Sequence, residues 1–220
     1  VRKQLAGIFW RPYVTWYISK ARTFGFRGLT MRIEKGVFHP SFFFSTRYLV
    51  EILDGFKDQL PGKSLLELGA GSGLLSLLAA RYGARVTASD LNKTAVATLI
   101  ENAAANKLQL QCIHSDLFQQ IPAQCFDFVL INPPYFKKNP ATDADLAWYC
   151  GENMEYFRRL FATLRPYLSS NSECLMILAE NCDLQGIQAI ATSEGFAMNE
   201  IQRKKIKWEM NFIFKIVPAA

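Results

Sequence analysis

Histidine is almost missing from this chain: His39 and His114 are the only two. They lie far apart without a metal-ligand spacing, which argues against a metal centre built on clustered imidazoles. The five cysteines (Cys112, Cys125, Cys150, Cys174 and Cys182) are an odd number and include no C-x-x-C pair. Most sit in apolar stretches, as reduced core thiols do, which argues against a disulfide framework or structural metal and for a reducing cytoplasm. No apolar run reaches the roughly 18 residues that a transmembrane segment needs. The opening "VRKQLAGIFWRPYVTWYISK" lacks a cleavage-site pattern, so a signal peptide is not expected. The chain starts at Val1, which leaves trimming of the native start open.

Acidic residues are nearly absent from the first 36 positions, where Glu34 faces eight Lys and Arg. That segment alone carries +7 of a formal net charge of +6, so residues 37–220 sum to −1. Trp10, Tyr13, Trp16 and Tyr17 are interleaved with the charges. Such a segment suits an anionic partner, either nucleic acid or a membrane surface. The plainer alternative is a solvated basic helix packed on the main domain by its aromatics. Two boundaries follow: a basic aromatic extension over 1–36 and a folded domain over 37–220.

Half of the chain is hydrophobic, enough for a sizeable core. Short helices are expected near 3–10 and 13–22, and "GLTMRIEKG" reads as a strand. A helix then starts at about Ser45. From residue 63 strands and helices alternate: "KSLLELG", "SGLLSLLAARYG", "ARVTASD", "NKTAVATLIENAAANK", "LQLQCIHSD" and "CFDFVLIN". A long helix, "LAWYCGENMEYFRRLFATLRPYL", is expected next, then "SECLMILAE" and "DLQGIQAIATSEG". Two closing strands, "FAMNEIQRKKI" and "WEMNFIFKIV", are linked by a turn too short for anything but antiparallel pairing. The pattern predicts an α/β fold with a Rossmann-like, doubly wound, mixed seven-stranded sheet ending in an antiparallel strand pair. No internal repeat or low-complexity tract interrupts it.

"LLELGAGSGLLS" sets Gly69, Gly71 and Gly73 between the first strand of this series and its helix. This is where a tight turn lets a ligand approach the backbone and a helix N-terminus. Leu74 stands where a dinucleotide fingerprint wants glycine, and a triphosphate loop's Gly-Lys-Ser/Thr ending is absent. Asp90 ends the second strand, where a carboxylate can accept from both hydroxyls of a ribose. Asp116 ends the third, where an oxygen can receive an adenine amine. Glu67, just before the glycines, can hold a ligand ammonium. For each aspartate alone, a helix cap or turn residue is the competing reading. An adenosine with an amino group, needing no phosphate grip, describes S-adenosylmethionine.

"LINPPYFKK" (130–138) ends the fourth strand on Asn132, two prolines and Tyr135. Prolines cannot continue a ladder, so the chain must break out there. The Asn132 side-chain oxygen and the Pro133 carbonyl can each accept one N–H of a planar NH2 group. Pro134, with fixed φ and no N–H, holds that carbonyl in place, and Tyr135 can stack on or wall in the group. Positioning of this kind directs the nitrogen lone pair at an electrophilic methyl.

"ELGAGSG", "ASDLN", "SDLF" and "INPPY", in that order, resemble the class I S-adenosylmethionine-dependent methyltransferases. Within them the chain resembles the NPPY subgroup, HemK-like small-domain enzymes, over roughly residues 37–220. The resemblance implies cofactor contacts from Glu67, Gly69, Ala70, Gly71 and Gly73, from Asp90 and Leu91, from Asp116 and Leu117, and from Asn132. It implies catalytic roles for Asn132, Pro133, Pro134 and Tyr135. "VFHPSFFFSTRYLVEIL" resembles the HemK-type Thr-containing helix start, with Thr46 at the matching position. "DLAWYCGENMEYFRRLF" resembles their "GGxDG" stretch with one glycine, the aspartate and the final glycine altered. N-methylation of a protein glutamine amide is thus expected, with an RNA or DNA adenine amine as the alternative acceptor. The basic N-terminus suits a nucleic-acid contact, and Lys137 and Lys138 can touch phosphates. An activating partner subunit is compatible with this reading. A third reading is a cofactor-binding partner subunit without activity of its own.

Overall fold

In a computed structural model of the chain, residues 20–35, 37, 44–207 and 209–219 are described. The first element is a hairpin, strands β1 (Arg22–Phe26) and β2 (Leu29–Ile33), paired antiparallel from Arg22↔Ile33 to Phe26↔Leu29. Arg27 (φ 48°) and Gly28 (φ 76°) make the tight turn with both central residues left-handed, which matches the strand twist. Along β2 every second residue points inward, and Leu29, Met31 and Ile33 are buried. Leu29 and Met31 join the same apolar cluster as Leu65, Leu77 and Ile177. The boundary expected between residues 36 and 37 therefore falls after two strands that pack on the domain's own core. Arg22, expected to end a helix over 13–22, stands in β1, and the rest of the basic aromatic segment before Lys20 lies outside the described residues.

Helix α1 (Phe44–Gly55) covers one face of the sheet with Tyr48, Leu49 and Leu53. The alternation then runs β3 (Ser64–Leu68), α2 (Leu74–Arg81), β4 (Arg85–Asp90), α3 (Lys93–Ala105), β5 (Leu110–His114) and β6 (Phe126–Ile131). After a short 3-10 turn (Asp143–Ala147) come α4 (Glu155–Leu164), β7 (Leu168–Ala179), α5 (Leu184–Ser193), β8 (Phe196–Ile206) and β9 (Glu209–Pro218). The sheet order is β5-β4-β3-β6-β7-β9-β8. The first five strands in this order are mutually parallel, while β9 pairs antiparallel with β8, as the short turn requires, and also with β7. Alternation in β3 feeds two cores: Leu65 faces the cluster with Tyr48, and Leu66 and Leu68 face Phe157, Met176 and Ile187. Each such buried side chain contributes about 1.5–3 kcal/mol. Strand order reverses between β3 and β6, and the crevice at their carboxyl ends is where open α/β sheets bind ligands.

One expected element is broken. The helix expected over 146–168 is interrupted between Trp148 and Met154, and α4 starts only at Glu155. Its backbone instead pairs sideways with the loop after β6: Phe136 N–H donates to Trp148 O at 3.0 Å, Cys150 N–H to Phe136 O at 3.0 Å, and Gly151 N–H to Lys138 O at 3.1 Å. Gly151 (φ 89°) makes the reversal, and a Cβ there would fall 1.8 Å from Glu155 Oε2. Leu168, expected to close that helix, opens β7.

Candidate active site

A cleft of about 400 Å³ opens at the carboxyl ends of β3, β4 and β6. The glycine loop after β3 forms its floor. Ala70 N–H donates to Ser89 O at 2.9 Å and Gly71 N–H to Asp90 Oδ2 at 2.8 Å, so the loop is pinned to the end of β4. Asp90 Oδ1 also accepts from Asn92 N–H at 2.8 Å. Capping of α3 falls to Asn92, whose Oδ1 accepts from Thr94 N–H at 2.8 Å. Asp90 is therefore not the cap; its carboxylate ties the end of β4 to the glycine loop and to the turn that leads into α3. Burial pushes its carboxyl above the usual range, opposed by the backbone donors of Asn92 and Gly71.

Glu67 is buried at the end of β3, where Oε2 accepts from Ser76 N–H at 2.8 Å and from the Ser76 hydroxyl. Burial pushes its carboxyl up to about 8, the Ser76 bonds pull it down, and the nearby Asp90 charge raises it further. A cation entering the cleft beside Glu67 would favour its ionised form. Leu91, 40% exposed, leaves an apolar face open in the cleft.

Asp116 follows β5 and also lines the cleft. Its carboxylate is ion-paired with Arg159 of α4 through Oδ1, while Oδ2 accepts no hydrogen bond among the described residues. Leu117 beside it is left-handed (φ 49°) in a turn tied by Ser115 Oγ, which donates to Leu117 O at 2.8 Å.

Across the cleft, Asn132 and Pro133 close β6. Neither the half-buried Asn132 side-chain amide nor the Pro133 carbonyl has a hydrogen-bond partner among the described residues. Two acceptor oxygens on adjacent residues of a rigid corner are thus left unsatisfied in a concave site. Tyr135 packs against Phe136 with ring centroids 4.8 Å apart, and burial raises its phenol far above the ordinary range. Trp148 and Tyr149, brought in by the broken helix, complete an aromatic wall, and Lys138 Nζ stands 4.9 Å over the Tyr149 ring.

The cleft gathers Thr46, Glu67, Gly69, Ala70, Gly71, Asp90, Leu91, Asp116, Leu117, Asn132, Pro133, Pro134 and Tyr135. Gly73 is not among its lining residues. It caps α2 in the left-handed region (φ 82°), and a Cβ there would sit 2.1 Å from Leu99 Cδ1, so it serves the packing of α2 on α3. Sequence reasoning missed Tyr156 and Arg159, which line the cleft from α4. Their three-residue spacing on one helical face would have been a signal only with the helix start placed at Glu155.

The family model described as methyltransferase small domain matches residues 28–190. A release factor glutamine methyltransferase of Lactococcus lactis is 35% identical over 124 residues, 54% of this chain and 44% of that protein. A tRNA1(Val) adenine-N6-methyltransferase of Shewanella halifaxensis is 36% identical over 95 residues, 40% of this chain and 39% of that protein. A 16S rRNA methyltransferase of T. thermophilus, solved in complex with AdoMet and guanosine, superposes with a TM-score of 0.63 at 22% identity, over 89% of this chain and 50% of that one. The chain spans less than half the length of these two curated relatives. Among the described residues no helix is long and apolar enough to cross a membrane.

Proposed function

Because the chain belongs to the methyltransferase small-domain family, we propose that its cleft binds S-adenosylmethionine and directs methyl transfer to the nitrogen of a planar NH2 group. The observation that carries this reading is the pair of unpartnered acceptors, the Asn132 side-chain oxygen and the Pro133 carbonyl, on one stiff corner of the cleft.

The residues present fit the cofactor. Asp116 offers a carboxylate oxygen that accepts no hydrogen bond among the described residues, Asp90 a carboxylate fixed at the end of β4, and Glu67 a buried carboxyl that an ammonium would ionise. Leu91 and Leu117 supply apolar walls for a base. When bound, the cofactor supplies an electrophilic methyl on a sulfonium.

The chain's own part is positioning. An amide or base amine is a poor nucleophile because its lone pair is delocalised into the adjacent π-system. Donating one N–H to Asn132 and the other to Pro133 holds the nitrogen with its lone-pair density facing the methyl, and Tyr135 walls in the planar group behind it. Such fixed acceptors also oppose the positive charge that develops on nitrogen. No strong base is needed, since the methylated nitrogen is acidic and releases its proton late.

A glutamine side-chain amide is the first reading of the acceptor, supported by the similarity to the Lactococcus lactis release factor enzyme. An adenine amine is the second, favoured by the aromatic wall of Tyr135, Phe136, Trp148 and Tyr149, which suits a planar base. Tritiated methyl transfer from labelled cofactor into a cell extract, followed by separate protease and nuclease digestion, tests both. Protease-sensitive label supports the glutamine acceptor, and nuclease-sensitive label the adenine. An absence of label with cofactor binding intact returns the reading of a non-catalytic binding subunit.

A further inference from the structure

Helix α4 contributes two side chains to the adenosine end of the cleft, Tyr156 and Arg159, one turn apart on the same face. Tyr156 stands close to both Asp90 and Asp116, whose charges add to the burial that raises its phenol. Arg159 reaches across to Asp116, where its Nη2 makes its nearest contact with Oδ1, and Oδ2 accepts no hydrogen bond among the described residues. Asp116, Leu117 and Arg159 also line a second concavity, with Phe118 and Tyr167 on its far side. The three residues therefore form the partition between the two spaces.

We propose that Arg159 is a positioning residue that aims the free oxygen of Asp116 at the exocyclic amine of the cofactor's base, and so makes binding selective for adenine. This rests on the reading that the cleft takes an adenosyl cofactor. A carboxylate on a turn can rotate about its last bond. A guanidinium fixed to one oxygen sets the carboxylate plane and restricts the other oxygen to one direction. Asp116 is acceptor-only when ionised, so it rewards a base edge that donates and opposes one that presents a carbonyl. Arg159 itself is half exposed and need not touch the base.

The test is calorimetric binding of two ligands to the purified full chain: S-adenosylhomocysteine, and S-inosylhomocysteine, in which a carbonyl replaces the amine. The unaltered protein should prefer the adenine form by about tenfold or more, the usual worth of a charge-assisted hydrogen bond. Arg159→Ala should weaken S-adenosylhomocysteine about tenfold while leaving the inosine form within about twofold, so that the preference collapses. Asp116→Asn should erase the same preference, and the double variant should lose no more than either single one. Equal loss of both ligands in Arg159→Ala would mean that the guanidinium stacks on any base, which overturns the proposal. Unchanged binding of both would reduce the contact to a surface ion pair, with the same consequence. Arg159→Lys, which keeps the charge but not the planar fork, separates a folding defect from a lost geometry by retaining part of the preference. Failure of the unaltered protein to bind S-adenosylhomocysteine would overturn the adenosyl reading of the cleft itself, and this inference with it.

Discussion

Asn102 on α3 hydrogen-bonds in both directions to the backbone of Arg32 on β2: its Oδ1 accepts the Arg32 N–H at 2.7 Å, and its Nδ2 donates to the Arg32 carbonyl at 2.8 Å. One turn along, Asn106 repeats the arrangement on Thr30 at 3.0 and 2.8 Å. Two side-chain amides at i and i+4 thus replace the neighbouring strand that the outer edge of β2 lacks. The hairpin is held so that the chain leaving Ile33 brings Val37 against Ala95 and into the cleft.

Asn102 is 2% exposed, so Asn102→Ala leaves a backbone donor and acceptor unsatisfied. The expected loss is about 2–3 kcal/mol, or roughly 5–10 °C in Tm for a domain of this size. Asn106→Ala, at a more open position, should cost no more than about 1 kcal/mol. Thermal unfolding of the two variants side by side checks the ranking, and equal effects would mean that burial does not decide it.

Gly73→Ala is expected to act on the fold and not on the cleft. The new Cβ meets Leu99 Cδ1 at 2.1 Å, Leu99 is 1% exposed, and the backbone is left-handed at φ 82°. Together these should cost about 2–4 kcal/mol. The folded fraction should bind S-adenosylhomocysteine with unchanged affinity. Gly73→Ala combined with Leu99→Ala should recover the steric part of the lost stability, which a double-mutant cycle in urea would measure.

Much of the fold was legible because apolar runs such as "SLLEL" and "FDFVLI" are short, rich in strand formers and bounded by turn residues. The residues of the cleft at Glu67, Asp90 and Asp116 were legible because they sit at strand ends, where topology opens a crevice irrespective of detail. The packing role of Gly73 was hidden because a glycine kept for a neighbour's Leu99 looks the same in sequence as one kept for a ligand. The helix over 146–168 was misread because Trp148, Tyr149, Met154 and Phe157 carry an apolar pattern straight across Gly151. Only the pairing with Phe136 and Lys138 reveals the break. The strand "RTFGF" was hidden by its basic and aromatic composition. The Asn102–Arg32 and Arg159–Asp116 contacts join residues too distant in sequence for any local pattern to reveal.

Asn132→Ala separates chemistry from cofactor binding. Removing one of the two acceptors should lower methyl transfer about 10²–10³-fold. The Asn132 side chain has no partner among the described residues, so Tm should hold within about 1–2 °C. Cofactor affinity, measured by calorimetry with S-adenosylhomocysteine, should stay within a few-fold. Equal loss of transfer and of affinity would remove the role assigned to that side chain.

Glu67 should make stability depend on pH in an unusual direction for a carboxylate. Its pKa rises from 4.5 to about 8, mainly through burial. The folded protein therefore keeps a proton there that the unfolded chain has already released. The corresponding stability is fully present below about pH 4.5 and is lost as pH rises through about 8. Glu67→Gln, which needs no proton, should flatten this part of the profile and raise Tm by roughly 10 °C at pH 8 while changing it by no more than about 3 °C at pH 5. A bound ammonium reverses the preference, because it favours the carboxylate. Binding of S-adenosylhomocysteine at pH 7 should thus release a proton from Glu67, and its affinity should climb towards pH 8 in the unaltered protein but less so in the variant. Titration calorimetry in buffers of different ionisation enthalpy counts that proton. Identical counts for the two proteins would place the ammonium away from Glu67.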